Sequence, residues 1–505
     1  MSLRGGRGFS AWATAALVMV IFTTCVHRAV HESFTHDESL TWLQWARGPF
    51  GGIFENYIAN NHVLNTIGVW ASARAFGVSE WSLRLPALLG ALVCLLVLAR
   101  FARGAWGGGL VGVLGLGLVA LNPFVLDYFV ASRGYALALA GLLLGVSGAT
   151  TLIESGSLKA AVVVGLGAGI AVTANLAFVF PVLGVFGVLT LSLVGLGWRD
   201  PRGRGRALWL PLIVIVTTSL AVALPMLVPL LSGAQRGHYD FGSTSLTEMQ
   251  EGLVRVTLLH GDAPPLQLMG RSGSHWIELL TPWLAEGLTL VLVLAGLWTA
   301  WGWRRRGGRP QGALLVLSTC GLALTLIGLV AAHRLFDLPY PKTRTGLHLV
   351  VLASLGAVTA VTRLPFAARV MGGALLLVFV LVFASRQPLR GFVDWPYDQR
   401  AREEFAFLEA RHRARGGAPI RVLCVPFQHA PALRFYADRH RADWLEVEAL
   451  QQGGVLEISR LAGHHDFVYF LLPRELVDAG AAEFGLRVIR QDLETGTIVA
   501  MRTMR

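Results

Sequence analysis

Charge is what this chain has least of. Only 15% of its 505 residues are Asp, Glu, Lys or Arg, against 54% hydrophobic, whereas a soluble domain carries about 25% charged residues. The polar cover of a large soluble core is therefore missing, and mean hydropathy is +0.57. Cysteine is scarce as well. Of the four present, Cys25, Cys94 and Cys320 fall in apolar runs, and Cys424 stands apart in a more polar tail. That pattern excludes a disulfide framework and reads Cys424 as filler of a strand core. No Cys/His spacing matches a closed zinc site. No glycine-rich loop opens a helix in the way a nucleotide-phosphate cradle requires. The 58 glycines and 21 prolines are spread through apolar tracts, which excludes a collagen-like or disordered chain.

What is present is a series of apolar stretches of membrane-spanning length. Arg4 and Arg7 precede a run from Trp12 to Cys25 that no small-x-small cleavage site follows, so it reads as an uncleaved first span entering from the cytoplasm. Further spans are expected near 83–100, 105–122, 135–153, 159–175, 176–197, 207–231, 281–303, 312–331, 346–362 and 370–385, about eleven in all. The basic excess, 43 Lys and Arg against 31 Asp and Glu, sits between them. Alternating the spans puts Arg100 and Arg103, Lys159, Arg199–Arg206, Arg304–Arg309, and Arg363 and Arg369 on one side, the cytoplasmic one. These clusters are short and closely flanked by spans, so they orient the chain in a bilayer and do not indicate nucleic-acid binding. The fold class expected is mainly α, a polytopic membrane protein at residues 1–386. Residues 29–81 and 232–280 form large extracytoplasmic loops, and 387–505 form a small extracytoplasmic α/β domain.

In that tail, Pro396–Arg415 and Ala430–His440 read as helices, and Ile420–Pro426 and Asp466–Leu472 as buried strands. A helix is expected near 474–484, and a hairpin from Leu486 to Thr503 turning at Glu494–Thr497. Glu38–Arg47 carries apolar residues at helical spacing with two tryptophans. This helix is suited either to the plane of the membrane interface or to packing on protein.

Ionisable and amide residues avoid the middles of the spans and gather at the extracytoplasmic ends: His36, Asp37, Glu38, Asn60, Asn61, His62, Asp127, Arg133 and His348. A transporter would place polar groups along a path through the bilayer, and no such path is visible. A flippase of lipid-linked sugars remains the alternative function, and a scaffold whose tail binds a partner a third. Asp37 and Glu38 can act as a base and its orienting or metal-binding neighbour, or they can cap the helix that follows. Asn60-Asn61-His62 can hold a phosphate or sugar hydroxyls, or form a polar turn. Arg133 and Tyr135, in Asp127–Tyr135, and Lys342 and Arg344, in Pro339–Thr345, suit a phosphate at the interface or simple anchoring there. His238, Asp240, His260 and His275 lack diagnostic ligand spacing.

An Asp-Glu pair soon after the first span, a polar turn, and Gly77-Val78-Ser79-Glu80-Trp81-Ser82-Leu83-Arg84-Leu85-Pro86 entering the second span together resemble the GT-C glycosyltransferases. The likeness is to the bacterial branch that includes protein O-mannosyltransferases and the lipid A aminoarabinose transferase, and Ser132-Arg133-Gly134-Tyr135 fits that branch too. The resemblance is firmest over residues 30–150. It implies inverting transfer of a sugar from a polyprenyl-phosphate donor to a glycan, lipid or protein acceptor outside the cytoplasm. Asp37 takes the place of the catalytic aspartate, Glu38 is its partner, and His62 lies near the lipid phosphate. Val63 and Leu64 stand where relatives have prolines, and Asn61 where aminoarabinose transferases have a metal-associated Glu. No cofactor is certain on this basis, and a divalent metal is left open. Gly134-Tyr135 replaces those enzymes' Asp, so the resemblance does not name the sugar.

Overall fold

The computed structural model describes residues 3–55, 60–197, 205–233, 242–258, 281–306, 312–387, 390–450, 461, 464–471, 485–492 and 495–502. Each of the eleven apolar stretches is helical within them. Among the described residues nine helices are long and apolar enough to cross a membrane: Ser10–His31, Leu85–Arg103, Tyr135–Ser155, Leu176–Gly195, Trp209–Leu227, Trp283–Gly302, Ala313–Phe336, Thr343–Arg363 and Phe366–Ser385. Leu110–Ala120 and Pro123–Val130 make a tenth if counted as one span bent by 64°, and Leu158–Ala174 is shorter. The bend has a local cause. Asn122 caps the second helix by accepting from the Phe124 N–H at 3.1 Å, and Pro123 cannot continue the first. The chain is a multi-pass membrane protein.

The Tyr135–Ser155 and Leu158–Ala174 helices meet through glycine. A Cβ on Gly141 would fall 2.5 Å from the Gly167 carbonyl, and one on Gly167 would fall 2.5 Å from the Gly141 carbonyl. Lipid offers little hydrophobic drive for helices to associate, so such backbone contact supplies the packing.

The tail forms a five-stranded sheet in the order β2-β1-β3-β5-β4. Its strands are β1 (Ile420–Val425), β2 (Leu445–Ala449), β3 (Phe467–Phe470), β4 (Leu486–Gln491) and β5 (Ile498–Arg502). β1 pairs in parallel with β2 and β3, while β5 is antiparallel to β3 and β4. The expected strands, the Ala430–His440 helix and the terminal hairpin are all present; the helix expected near 474–484 lies outside the described residues. β2 was missed, because Leu-Glu-Val-Glu-Ala is a short, half-exposed edge strand with only one inward apolar row. The helix expected from Pro396 is a single 3₁₀ turn at Pro396–Asp398 followed by Ala401–Ala414.

Alternation along the strands gives the sheet two apolar faces. Val422, Cys424, Phe467, Tyr469 and Val499 face the Ala401–Ala414 and Ala430–His440 helices. Leu423, Val425, Val468, Phe470 and Ile498 line the other side. Burial pushes the Cys424 thiol up to about 12, as expected for a core filler.

The first face continues into the loop after the first span. Phe34, Trp42, Val69, Ala73 and Leu83 share its core, and the Trp42 indole N–H donates to Asp438 at 2.8 Å. Trp42 and Trp45 are both buried in protein. Of the two settings open to the Glu38–Arg47 stretch, the structure adopts packing on protein.

Glu80 clasps the two parts together. It is buried, its carboxylate accepts from Arg402 at 2.7 and 2.9 Å and from the Tyr436 hydroxyl at 3.1 Å, and it pairs with Arg439. Burial alone would raise its pKa. Its own backbone N–H with Arg402 and Arg439 outweighs that and holds the carboxyl below the usual glutamate range. A group with a lowered native pKa stabilises fully above its unfolded value of about 4.3 and loses that contribution as acid protonates it. Glu80→Ala is expected to cost about 2 kcal/mol and to speed proteolysis between residues 386 and 400. Thermal unfolding and timed digestion of the full chain check this, and wild-type digestion rates would refute the clasp.

Candidate functional site

The polar residues converge at the end of the bundle where the Leu3–His31 helix finishes and Leu85–Arg103, Tyr135–Ser155 and Leu347–Arg363 begin. Thr35 caps a short helix, His36–Thr41. The Thr35 hydroxyl accepts from the Glu38 N–H at 3.4 Å, and Glu38 Oε2 accepts from the Thr35 N–H at 2.9 Å. Neighbouring residues on a helix point about 100° apart, so Asp37 and Glu38 enter different surroundings.

Glu38 turns into the protein. Arg84 donates to it through Nε at 2.8 Å and Nη2 at 2.7 Å, and both side chains are 0% exposed. The Ser132 N–H donates to the same carboxylate at 2.6 Å. Arg84 spends its other hydrogens on the carbonyls of Ala29, Glu32 and Ser33 at 2.7–3.3 Å. Glu38 is therefore occupied on both oxygens, as a capping and bracing group.

Asp37 faces a polar knot. Its Oδ2 lies 3.1 Å from Arg344 Nη2, and its Oδ1 accepts from the Asn60 amide at 3.4 Å. Arg133, fully buried, donates from Nη1 to the Asp37 carbonyl at 3.1 Å and to Thr41 Oγ1 at 2.9 Å, and from Nη2 to the Asn60 carbonyl at 3.2 Å and the Asn60 side-chain oxygen. Burial would raise the Asp37 pKa, but Arg344 and Arg133 outweigh it and hold the carboxyl well below the usual aspartate range. Asp37 is thus a carboxylate at neutral pH. The His62 and Tyr135 rings lie tilted to each other with centroids 5.2 Å apart, and the Tyr135 ring lies 4.6 Å from that of Tyr128. Burial first, and then Arg133, lower His62 well below the ordinary histidine value, so its imidazole is neutral. Gly134 makes this approach possible. A Cβ there would sit 1.8 Å from the Ala174 carbonyl and 2.9 Å from the His62 Cβ.

Two expected residues stand aside. Asn61 is consumed inside its turn, donating to the Ile53 carbonyl and accepting from Thr66 Oγ1, both at 2.9 Å. Lys342 is exposed, and its charge is felt by Glu248. His348 is buried beside Phe178 on the helix that follows Arg344. His238, Asp240, His260 and His275 lie outside the described residues.

Residues 390–398 supply groups that the sequence reading missed. Asp394 Oδ2 lies 3.6 Å from Arg344 Nη1 and accepts from the Tyr128 hydroxyl; the Trp395 ring lies under the Arg344 guanidinium at 5.5 Å. Asp398 accepts from the His36 N–H. Burial pushes the Asp394 carboxyl up against the opposing pull of Arg344, and it raises Asp398 strongly. The signal available in sequence was only the rise in charge at Asp394, with nothing to say the strap folds back over Asp37.

The donor set does not fit a resident divalent ion. Glu38 is spent on Arg84, Asp37 on Arg344 and Asn60, and Asn61 on its own turn. Among the described residues no three His, Cys, Asp or Glu side chains are grouped to hold one.

The fold resembles that of solved polytopic membrane glycosyltransferases of the GT-C type. ArnT from Cupriavidus metallidurans bound to undecaprenyl phosphate matches with a TM-score of 0.51 at 13% identity, covering 96% of this chain and 97% of that one. The Archaeoglobus fulgidus oligosaccharyltransferase in complex with zinc and sulfate matches with a TM-score of 0.47 at 12% identity, covering 90% of this chain and 67% of the other. No protein-family model and no curated protein matches the sequence.

The Glu38–Arg84 pair carries a prediction. Removing one member of a buried pair strands the other's charge and costs about 3–5 kcal/mol, whereas apolar replacement of both is far cheaper. Glu38→Ala is expected to destabilise by that amount, and Glu38→Leu combined with Arg84→Met to recover most of it. Chemical unfolding of the three purified variants decides, and equal loss in single and double variants would contradict the assignment.

Proposed function

We propose that the chain is a membrane glycosyltransferase. It moves a sugar, with inversion, from a polyprenyl-phosphate donor to a glycan, lipid or protein acceptor on the extracytoplasmic side, and its N-terminus is cytoplasmic. The observation that carries this reading is Asp37. It is a buried carboxylate kept ionised at the end of a bundle of spans, 3.1 Å from a cation that is 21% exposed. The GT-C fold shared with a protein bound to undecaprenyl phosphate supports it.

The chemistry asks for few groups. The acceptor oxygen attacks the anomeric carbon, its proton passes to the Asp37 carboxylate, and the bond from that carbon to the phosphate oxygen breaks with the electron pair leaving on the phosphate. A prenyl phosphate leaves readily when a cation stabilises the developing charge, and Arg344 is the arginine placed for that. While it pairs with Asp37 it also weakens Asp37 as a base. A donor phosphate that draws Arg344 away therefore raises the proton affinity of Asp37 as the leaving group arrives. Arg133 holds the Asp37 backbone and Asn60 in place, and neutral His62 with Tyr135 lines the neighbouring wall. Glu38 braces the helix that carries the base.

Asp37→Asn is expected to lower transfer about 10²–10⁴-fold, the range for a positioned general base, with folding retained. The assay supplies purified protein with prenyl-phosphate sugars and candidate acceptors and follows the labelled sugar. Full transfer by the variant would refute the base. Movement of the sugar-lipid across proteoliposomes without transfer would favour a flippase.

A further inference from the structure

Resting on the glycosyltransferase reading, we propose that Asp394 is a positioning residue that competes with the donor phosphate for Arg344, holding the guanidinium when no phosphate is bound and speeding release of the prenyl phosphate product. Arg344 lies between two carboxylates, 3.1 Å from Asp37 Oδ2 and 3.6 Å from Asp394 Oδ2. It is also the part-exposed arginine of the knot. Its side chain is 21% exposed, whereas Arg133 is fully buried with both terminal nitrogens engaged on Asp37, Thr41 and Asn60. A phosphate drawn to Arg344 meets that guanidinium flanked by two carboxylates, with Arg133 committed to Asp37, Thr41 and Asn60, so Asp394 adds repulsion that opposes tight binding of donor and product alike.

The strap carrying Asp394 is fastened by other bonds. The Val393 N–H donates to Asp127 Oδ2 at 2.7 Å, Asp127 pairs with Arg28 at 2.7 Å, and Arg28 donates to the Gly391 carbonyl at 2.6 Å. The Gly391 N–H donates to Glu32. Neutralising Asp394 therefore changes the field on Arg344 while the strap stays in place. The Tyr128 hydroxyl donates to the same Asp394 oxygen that faces Arg344. Tyr128 thus shares the carboxylate with Arg344 and moderates its pull.

Two substitutions follow with opposite signs. Asp394→Asn removes a like charge near a part-exposed guanidinium and is expected to tighten undecaprenyl phosphate binding about tenfold. It also lowers the donor KM and, by slowing product release, lowers kcat. Tyr128→Phe leaves the carboxylate leaning harder on Arg344 and is expected to weaken binding about threefold. A merely structural role would weaken binding in both variants. The experiment titrates undecaprenyl phosphate into the full-length chain in nanodiscs and measures KM and kcat for prenyl-phosphate sugar transfer in parallel. Tighter binding with lower kcat in Asp394→Asn, and weaker binding in Tyr128→Phe, is the expected result. Unchanged or weaker binding in Asp394→Asn, in a wild type that does transfer sugar, would overturn the proposal and leave the enzyme reading intact. If Asp394→Asn does not fold, unchanged or tighter binding in Tyr128→Phe overturns it. A wild type that neither binds the lipid phosphate nor transfers sugar would overturn the enzyme reading, and this proposal with it.

Discussion

The buried pair between Glu38 and Arg84 is the contact on which the site is built. Taking two charges out of water is repaid only by close geometry and full use of their hydrogen bonds, and this pair has both. Arg84 collects the carbonyls of Ala29, Glu32 and Ser33 as well as Glu38, while Glu38 takes the N–H groups of Thr35 and Ser132. Four pieces of chain are thereby tied at one point: the end of the first span, the cap of the short helix, the start of the second span and the link before Tyr135. With Glu38 fixed inward, Asp37 has one direction left. The Asp-Glu dipeptide works as a division of labour in which the second residue holds the scaffold and the first presents a carboxylate.

Much of the architecture was legible in the sequence, and the reason is physical. A bilayer demands about 20 apolar residues per crossing, so the spans could be located to within a few residues, and the short apolar runs Ile420–Val425 and Phe467–Phe470 marked two strands of the sheet. The bend at Pro123 and the short Leu158–Ala174 helix are refinements of length that hydropathy alone does not measure. β2 escaped because an edge strand needs only one apolar row. The site was half legible. Asp37, Arg133, His62, Tyr135 and Arg344 do meet, although they come from segments some 300 residues apart. Their polarity at span ends pointed to one region but not to pairings. Glu38, Asn61 and Lys342 shared that polarity and turned out to be a brace, a turn and an exposed cation.

Arg84 and Asp394 show what a sequence pattern omits. Arg84 sits within the motif entering the second span, yet its role depends on a residue 46 positions earlier. Asp394 lies more than 350 residues from Asp37, and they are neighbours only because the strap after the last span returns across the bundle end. That return is itself held by charge: Arg28 with Asp127, and Glu32 and Asp127 with strap N–H groups. A low-charge chain has placed many of its charges here, and most are paired.

This concentration explains how one arginine can serve two ends. In a poorly solvated cluster each carboxylate must have a cation or hydrogen-bond donors nearby, because an unpaired charge is costly. Arg344 satisfies that need for Asp37, and under the proposed function this pairing keeps the base quiet until a donor phosphate binds. In the proposed reaction a donor phosphate entering beside it offers a stronger, multidentate partner for the guanidinium. In that proposed reaction the partner lost by Asp37 is replaced by a proton from the acceptor. On that reading, exchanging partners keeps the charges in the knot compensated as a proton and a leaving group move.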